Sequence, residues 1–313
     1  MTRRRPASPR LAAFSADWLQ QREPFDAIAR TAAALRLGLP ALAALHPDRS
    51  TPWRIIDLAC GTGANLRWLA PRLGGSQQWL VVDRDVELLQ RWPACLAAAA
   101  GLARGTTVAR AQSAGPLDEP LSFGGPGFAT AIVRHPLDLA SHLEALPWQA
   151  AHLVTASALL DLVSAAWLQR LVAAAVSARV ALLFALSADG RHRWMPRDRH
   201  DATVGALFDS HQGRDKGFGP ALGARGASEL RRVLRAAGWR VRTARSDWLL
   251  DGRADPRARA LQRAMVDGIA AAACEQEPAA GATVRAWQAR RNAWAANGSL
   301  RVGHIDLLAL PPD

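Results

Sequence analysis

Three features of this sequence predict an α/β fold with a doubly wound, mostly parallel sheet and helices on both faces. Short apolar runs alternate with helical segments from Pro52 onward. The runs are continuously apolar, as strands buried on both faces are, rather than alternating. No repeat of fixed period interrupts the series, so one wound sheet accounts for it. The strands expected in order are WRIIDLAC, QQWLVVDRD, FATAIVRHPLDLA, AAHLVTAS and RVALLFALS, with RVRTARSDWLL and SLRVGHIDLLAL nearer the end.

The segments between them have helical spacing or turn chemistry. RWLAPRL, VELLQRWPACLAAAAGLA, ALLDLVSAAWLQRLVAAAVSA and ASELRRVLRAAGW read as helices. Residues 1–50 form an expected helical cap, with Pro24 as a break between two helices. Residues 51–313 form the main domain, carrying two insertions. One, at about 188–225, is polar and irregular; the other, at about 253–297, is helical. Residues 103–127 are rich in Gly, Pro and Ser and read as a loop. Trp287 and Trp294 lie seven apart, on one helix face expected to pack inward.

Composition narrows the class. An apolar fraction of 50% over 313 residues supports a sizeable core. No apolar run has the roughly 20 uncharged residues of a membrane span. The opening MTRRRPASPR lacks the apolar stretch of a secretory signal, and the three cysteines have no paired spacing. A cytoplasmic protein without disulfides or a metal site is expected. The net charge of +12 comes from arginine spread along the whole chain. Only Arg3–Arg5 and the stretch Arg191–His200 cluster, and both read as solvated surface.

The stretch IIDLACGTG carries the most chemistry. A buried strand delivers Asp57 to its carboxyl end, and Gly61 and Gly63 let the backbone turn sharply beside a ligand. The next helix aims its N-terminus at the same place. A dinucleotide site would have a third glycine where Leu66 stands, and an acid before the turn suits a cationic group better than a pyrophosphate. With these residues the chain resembles the class I S-adenosylmethionine-dependent methyltransferases, the acid–x–x–x–Gly–x–Gly signature being DLACGTG. Ala59 stands where the family has its first glycine. The resemblance covers about residues 50–250 and the final strand, and implies a Rossmann-like seven-stranded sheet binding S-adenosyl-L-methionine. It implies Asp57, Ala59, Gly61 and Gly63 at the methionine end, Asp83 on the ribose with Asp85 as the fallback, and Asp138 with Leu139 at the adenine. Ser157 and Asp161 would line the pocket, although Ser157 also reads as a helix cap.

The implied acceptor is an oxygen or nitrogen of a small molecule. The Asn/Asp-Pro-Pro-aromatic motif of base-amine methylation is replaced here by TASA, so a nucleic acid partner is not expected. An RNA methyltransferase and a cofactor-binding scaffold without turnover stay as rival readings. HQGRDKGFGPALG holds the chain's single lysine, Lys216, on a long connection at the ligand side of the sheet. Lys216 and His211 are the candidate catalytic pair, facing an anionic or hydroxylic substrate, with His211 as general base. No HxH or HExxH pattern offers a metal site.

Overall fold

A computed structural model describes residues 15–40, 42, 46, 50–102, 106–107 and 117–312. The Arg3–Arg5 cluster and much of the 103–127 loop lie outside the described residues. In chain order the elements are α1 (Ala16–Leu37), β1 (Trp53–Leu58), α2 (Ala64–Leu73), β2 (Gly75–Asp83), α3 (Val86–Gln90), α4 (Trp92–Leu102), β3 (Leu121–Gly125) and β4 (Phe128–Pro136). There follow α5 (Leu139–His142), β5 (Leu153–Ser157), α6 (Ala165–Ala178), β6 (Ala181–Met195), α7 (Asp201–Gln212) and α8 (Gly226–Ala236). The chain ends with β7 (Arg240–Arg245), β8 (Trp248–Asp251), α9 (Pro256–Gln276), α10 (Gly281–Trp294) and β9 (Ser299–Leu310).

The sheet order is β3-β4-β2-β1-β5-β6-β9-β7, with β8 also paired to β9. β4, β2, β1, β5 and β6 run parallel, while β9 runs antiparallel to β6, β7 and β8. This is the doubly wound sheet that the strand–helix alternation predicts, and it has the Rossmann-like form that the resemblance implies. The sheet is larger than the predicted seven strands by two. β3 emerges from the stretch read as a loop; only Leu121 and Phe123 alternate inward there, and its two glycines hide the pattern. RVRTARSDWLL divides at Ser246–Asp247 into β7 and β8, which pair with successive stretches of β9.

Three packed cores hold the layers. α6 and α8 cover one face through Trp167, Leu171, Leu230 and Leu234. α1, α2 and α4 cover the other through Ala33, Leu66, Leu69 and Trp92. The third joins α7, α9 and α10 to β8 and the outer half of β6, with Trp194 edge-on to Trp287 at 5.8 Å. Trp287 is buried as expected, whereas Trp294 is only half-buried, beneath the Arg291 guanidinium.

Several sequence expectations change. α1 continues through Pro24 without a break, because Phe25, Asp26, Ala29 and Arg30 just beyond it are held on the buried face. β6 runs past Ser187 to Met195, so the start of the 188–225 insertion is strand rather than irregular chain. Its apolar signal fades because only His192 and Trp194 turn toward the third core while Arg193 and Met195 face out. The next part is helix α7, whose Asp201 is held by Trp287 Nε1 at 2.8 Å and by the Arg291 guanidinium. α6 begins at Ala165 and is capped by Ser164, whose Oγ accepts from Trp167 N; the cap reading of Ser157 is therefore excluded.

Candidate cofactor and substrate site

The winding direction reverses between β1 and β5, which places a crevice outside the carboxyl ends of those strands, the ligand position of open α/β sheets. Its floor is the turn after β1. Ala59, Gly61 and Gly63 all have left-handed backbones, with φ of 51°, 53° and 86°. A Cβ on Gly63 would lie 2.9 Å from the Trp92 ring, and one on Gly61 would lie 3.1 Å from Leu19 of α1. Trp92 Nε1 also donates to Gly61 O at 2.8 Å, locking the turn from below. Ala59 adopts the glycine-like geometry in spite of its methyl group, at a cost of about 1–2 kcal/mol. Ala59→Gly should therefore leave stability within about 1 kcal/mol of the parent, while Ala59→Val, β-branched in that region, should cost about 2 kcal/mol or more in denaturant melts.

Two buried carboxyls face this turn from adjacent strands. Asp83, at the end of β2, accepts from Gly61 N (2.8 Å) on one oxygen and from Asp85 N (2.9 Å) on the other. Each of its oxygens keeps a further lone pair for a ligand hydroxyl. Asp85 itself caps α3, accepting from Glu87 N and Leu88 N, so its carboxylate is committed locally. Asp57 is fully buried; its Oδ1 accepts from Asn65 Nδ2 at 2.7 Å, and its Oδ2 has no partner. Burial pushes its carboxyl up to about 7, against the Asn65 hydrogen bond and the Arg30 charge, which pull it down. Asn65 also donates to Thr155 Oγ1 at 3.1 Å, tying β1, α2 and β5 together beneath the crevice.

The remaining sequence candidates ring the same edge. Asp138 is exposed and caps α5, accepting from Ala140 N and Ser141 Oγ, while the neighbouring Leu139 side chain is buried. Ser157 ends β5 opposite Ala185 and is half-buried. Ala158 then turns left-handed at φ 55°, and the chain reaches Asp161, whose Oδ1 is buried without a partner. Burial raises the Asp161 carboxyl, opposed by the nearby Arg22 of α1.

The first half of α1 lies against this turn, with Leu19 beside Gly61. Glu23 pairs with Arg67 of α2 at 2.6 Å, and Arg67 Nη1 donates to Thr62 O in the turn. Arg22 pairs with Asp26 and lies 4.9 Å over the Trp248 ring. Deeper along the helix, the buried Arg30 stacks 3.9 Å over Trp68 and is attracted by Asp306, Asp26 and Asp57. Such a guanidinium stays inside only where opposite charge and an aromatic face offset its lost hydration.

His211 and Lys216 come together as the sequence suggested, with Lys216 Nζ 3.4 Å from His211 Nδ1. His211 lies at the end of α7 rather than in a loop, and its Nε2 faces Glu275 of α9 at 3.4 Å. Burial, then the Lys216 charge, lowers the His211 pKa, so its ring is neutral near pH 7. The following segment is tightly seated. Asp215 accepts from Gly217 N and Gly219 N. Leu222 N and Gly223 N donate to Val163 O and Asp161 O, which brings the segment onto the β5–α6 connection.

Sequence reading did not single out Asn65, Trp92, Arg22 or Arg30. A polar Asn65 on the apolar inner face of α2 is the one visible signal among them. Among the described residues no group of three or more His, Cys, Asp or Glu could hold a metal ion, and no helix is long and apolar enough to cross a membrane. No family model and no curated protein matches the chain. Solved structures similar to it include an O-methyltransferase family protein from Burkholderia thailandensis, at 17% identity and a TM-score of 0.39, over 76% of this chain and 61% of that one. The chain thus spans less than two thirds of that protein's length. S-adenosylmethionine-dependent methyltransferases from Thiobacillus denitrificans and Geobacter sulfurreducens, both solved with S-adenosyl-L-homocysteine, match at 14% identity. Their TM-scores are 0.35 and 0.36, over 90% and 92% of this chain and 96% and 98% of theirs. At these scores none of the three bears on what this chain acts on.

Proposed function

We propose that this chain is an S-adenosyl-L-methionine-dependent methyltransferase acting on an oxygen or nitrogen of a small molecule. The observation that carries the reading is one turn: three left-handed residues within five positions, flanked by the buried carboxyls of Asp57 and Asp83. The residues fit the cofactor. The buried Asp57 carboxyl lies under the methionine end, acting on an ammonium group directly or through water, and the spare lone pairs of Asp83 suit a ribose diol. Ala59, Gly61 and Gly63 bare the backbone for close approach, with Ser157 beside them and Asp138 and Leu139 at the adenine end. Bound S-adenosyl-L-methionine supplies a methyl group already activated on sulfonium sulfur.

The protein's task is then to position the acceptor and exclude water, which suffices for large rate gains. The segment containing Lys216 acts as the lid over the acceptor, and the helices at 253–297 back it through Glu275. His211, neutral near pH 7, faces Lys216 through Nδ1 and Glu275 through Nε2, so it serves as base where the acceptor displaces Lys216 from Nδ1 and Lys216 holds its anionic or hydroxylic group. Ala59 adopts the left-handed backbone that favours glycine, which supports an intact cofactor turn. Three free cysteines fit a cytoplasmic setting.

Calorimetric titration with S-adenosyl-L-methionine and S-adenosyl-L-homocysteine tests the cofactor reading, and labelled-methyl transfer into a metabolite extract tests turnover. Micromolar binding with a labelled small product is expected; absence of binding to both would end the reading. Once an acceptor is found, His211→Ala and Lys216→Ala should each lower kcat/KM at least tenfold. Unchanged turnover in both would remove the pair from the site.

A further inference from the structure

The outer half of β6 and the first half of β9 extend beyond the carboxyl edge of the parallel strands, and β8 adds a third strand to that extension. Its outward face is a groove with a cavity of about 920 Å³, within the small-molecule range. Two cross-strand rows floor it: Arg193–Arg301–Leu249 and Met195–Ser299–Asp251. Like charges directly opposite on one face of a sheet repel, so Arg193 and Arg301 destabilise the empty groove.

The groove's acids do not balance these cations. Asp198 is taken by Arg290 at 2.6 Å, Asp201 by Arg291, and Asp251 by Arg253 at 3.0 Å. Arg301 reaches Asp247 only at 3.9 Å, and Arg191 already holds that carboxylate at 2.9 Å. Among the described residues the guanidinium groups of Arg193 and Arg197 have neither a hydrogen bond nor an ion pair. Beside them stand two large apolar side chains left in water, Met195 at 57% and Leu249 at 65% exposure. Surplus forked cations next to bare apolar surface suit one kind of ligand.

We propose that this groove is a second ligand site, distinct from the cofactor turn, for a small molecule with an oxyanion head and an apolar body. The head, a carboxylate or a phosphate, sits between Arg193, Arg197 and Arg301; the body lies on Met195 and Leu249. The arginine-rich stretch that composition alone reads as solvated surface thus gains a role, and a groove of about 920 Å³ matches a small molecule in size. The site does not rest on the methyl-transfer reading.

The test is calorimetric titration of the full chain, without cofactor, using octyl phosphate, octanoate, inorganic phosphate, octyl glucoside and a single-stranded oligonucleotide. Saturable binding of octyl phosphate or octanoate is expected, the stronger of the two identifying the head group. Arg193→Gln and Arg301→Gln should each weaken it at least tenfold, and Met195→Ser and Leu249→Ser about threefold to tenfold. All four positions are surface-facing, and a thermal melt checks that each variant folds. Removing one of the opposed charges should leave the unliganded melting temperature equal or raised. Equal binding of octyl glucoside or of inorganic phosphate, unchanged affinity in the arginine variants, or preferential salt-sensitive binding of a single-stranded oligonucleotide would each overturn the proposal.

Discussion

Asp83→Ala should weaken S-adenosyl-L-homocysteine binding by about two orders of magnitude. Two hydrogen bonds from a diol to a carboxylate are together worth about 3 kcal/mol or more, and each 1.4 kcal/mol is tenfold in affinity. The same carboxylate also accepts from Gly61 N and Asp85 N, so alanine leaves two backbone donors without their partner. A loss of about 1–3 kcal/mol in stability should accompany the lost affinity. Asp83→Asn separates the two effects. Its amide oxygen can keep one backbone bond, while the charge that strengthens the diol contacts is gone. It should melt closer to the parent than alanine does and bind about tenfold more weakly than the parent. Parent-like affinity in both variants, measured by calorimetry, would show that the ribose is not held at Asp83 and that the cofactor assignment must move elsewhere.

The parts that could be read in the sequence are those whose signal is local. IIDLACGTG contains its own strand, turn and helix start, so Asp57, Gly61 and Gly63 could be placed from neighbouring residues alone. Asp83 was legible for the same reason, as an acid closing a buried run. The misreadings arose where distant partners decide. Nothing near Ala188–Met195 announces a strand, because its ladder is completed by β9 more than a hundred residues later. α7 is a weak helix by itself and rests on α9 and α10 through Val204 and Asp201. Pro24 marks a break by local rules, yet the buried residues after it keep α1 whole. In the site, the sequence held the acids but not their depth. That Asp57 is sealed beneath Asn65, with one oxygen unpartnered, depends on β5 and α1 closing around it.

That depth makes Asp57 a proton-linked group, and the linkage has a definite sign. With its carboxyl pushed up to about 7 by burial, the folded protein holds this proton through a range where the unfolded chain, near 3.9, has released it. Stability from this group is therefore fully present below about pH 4 and lost as pH rises through 7, a span on the order of 4 kcal/mol. Asp26, Asp161 and Asp306, also raised by burial, act in the same direction. Asp57→Asn should flatten the fall in melting temperature between pH 5 and 8 without removing it. A cationic ligand group above the turn reverses the preference, its charge favouring the ionised carboxylate beneath. Binding of S-adenosyl-L-methionine should then release protons, more at pH 6 than at pH 8, with affinity rising over that range. Calorimetry in two buffers of different ionisation enthalpy reads this directly. In Asp57→Asn the release should disappear and the affinity lose its pH dependence. A release unchanged by that substitution would mean that another buried acid answers the cofactor, with Asp161, beside Arg22, next in line.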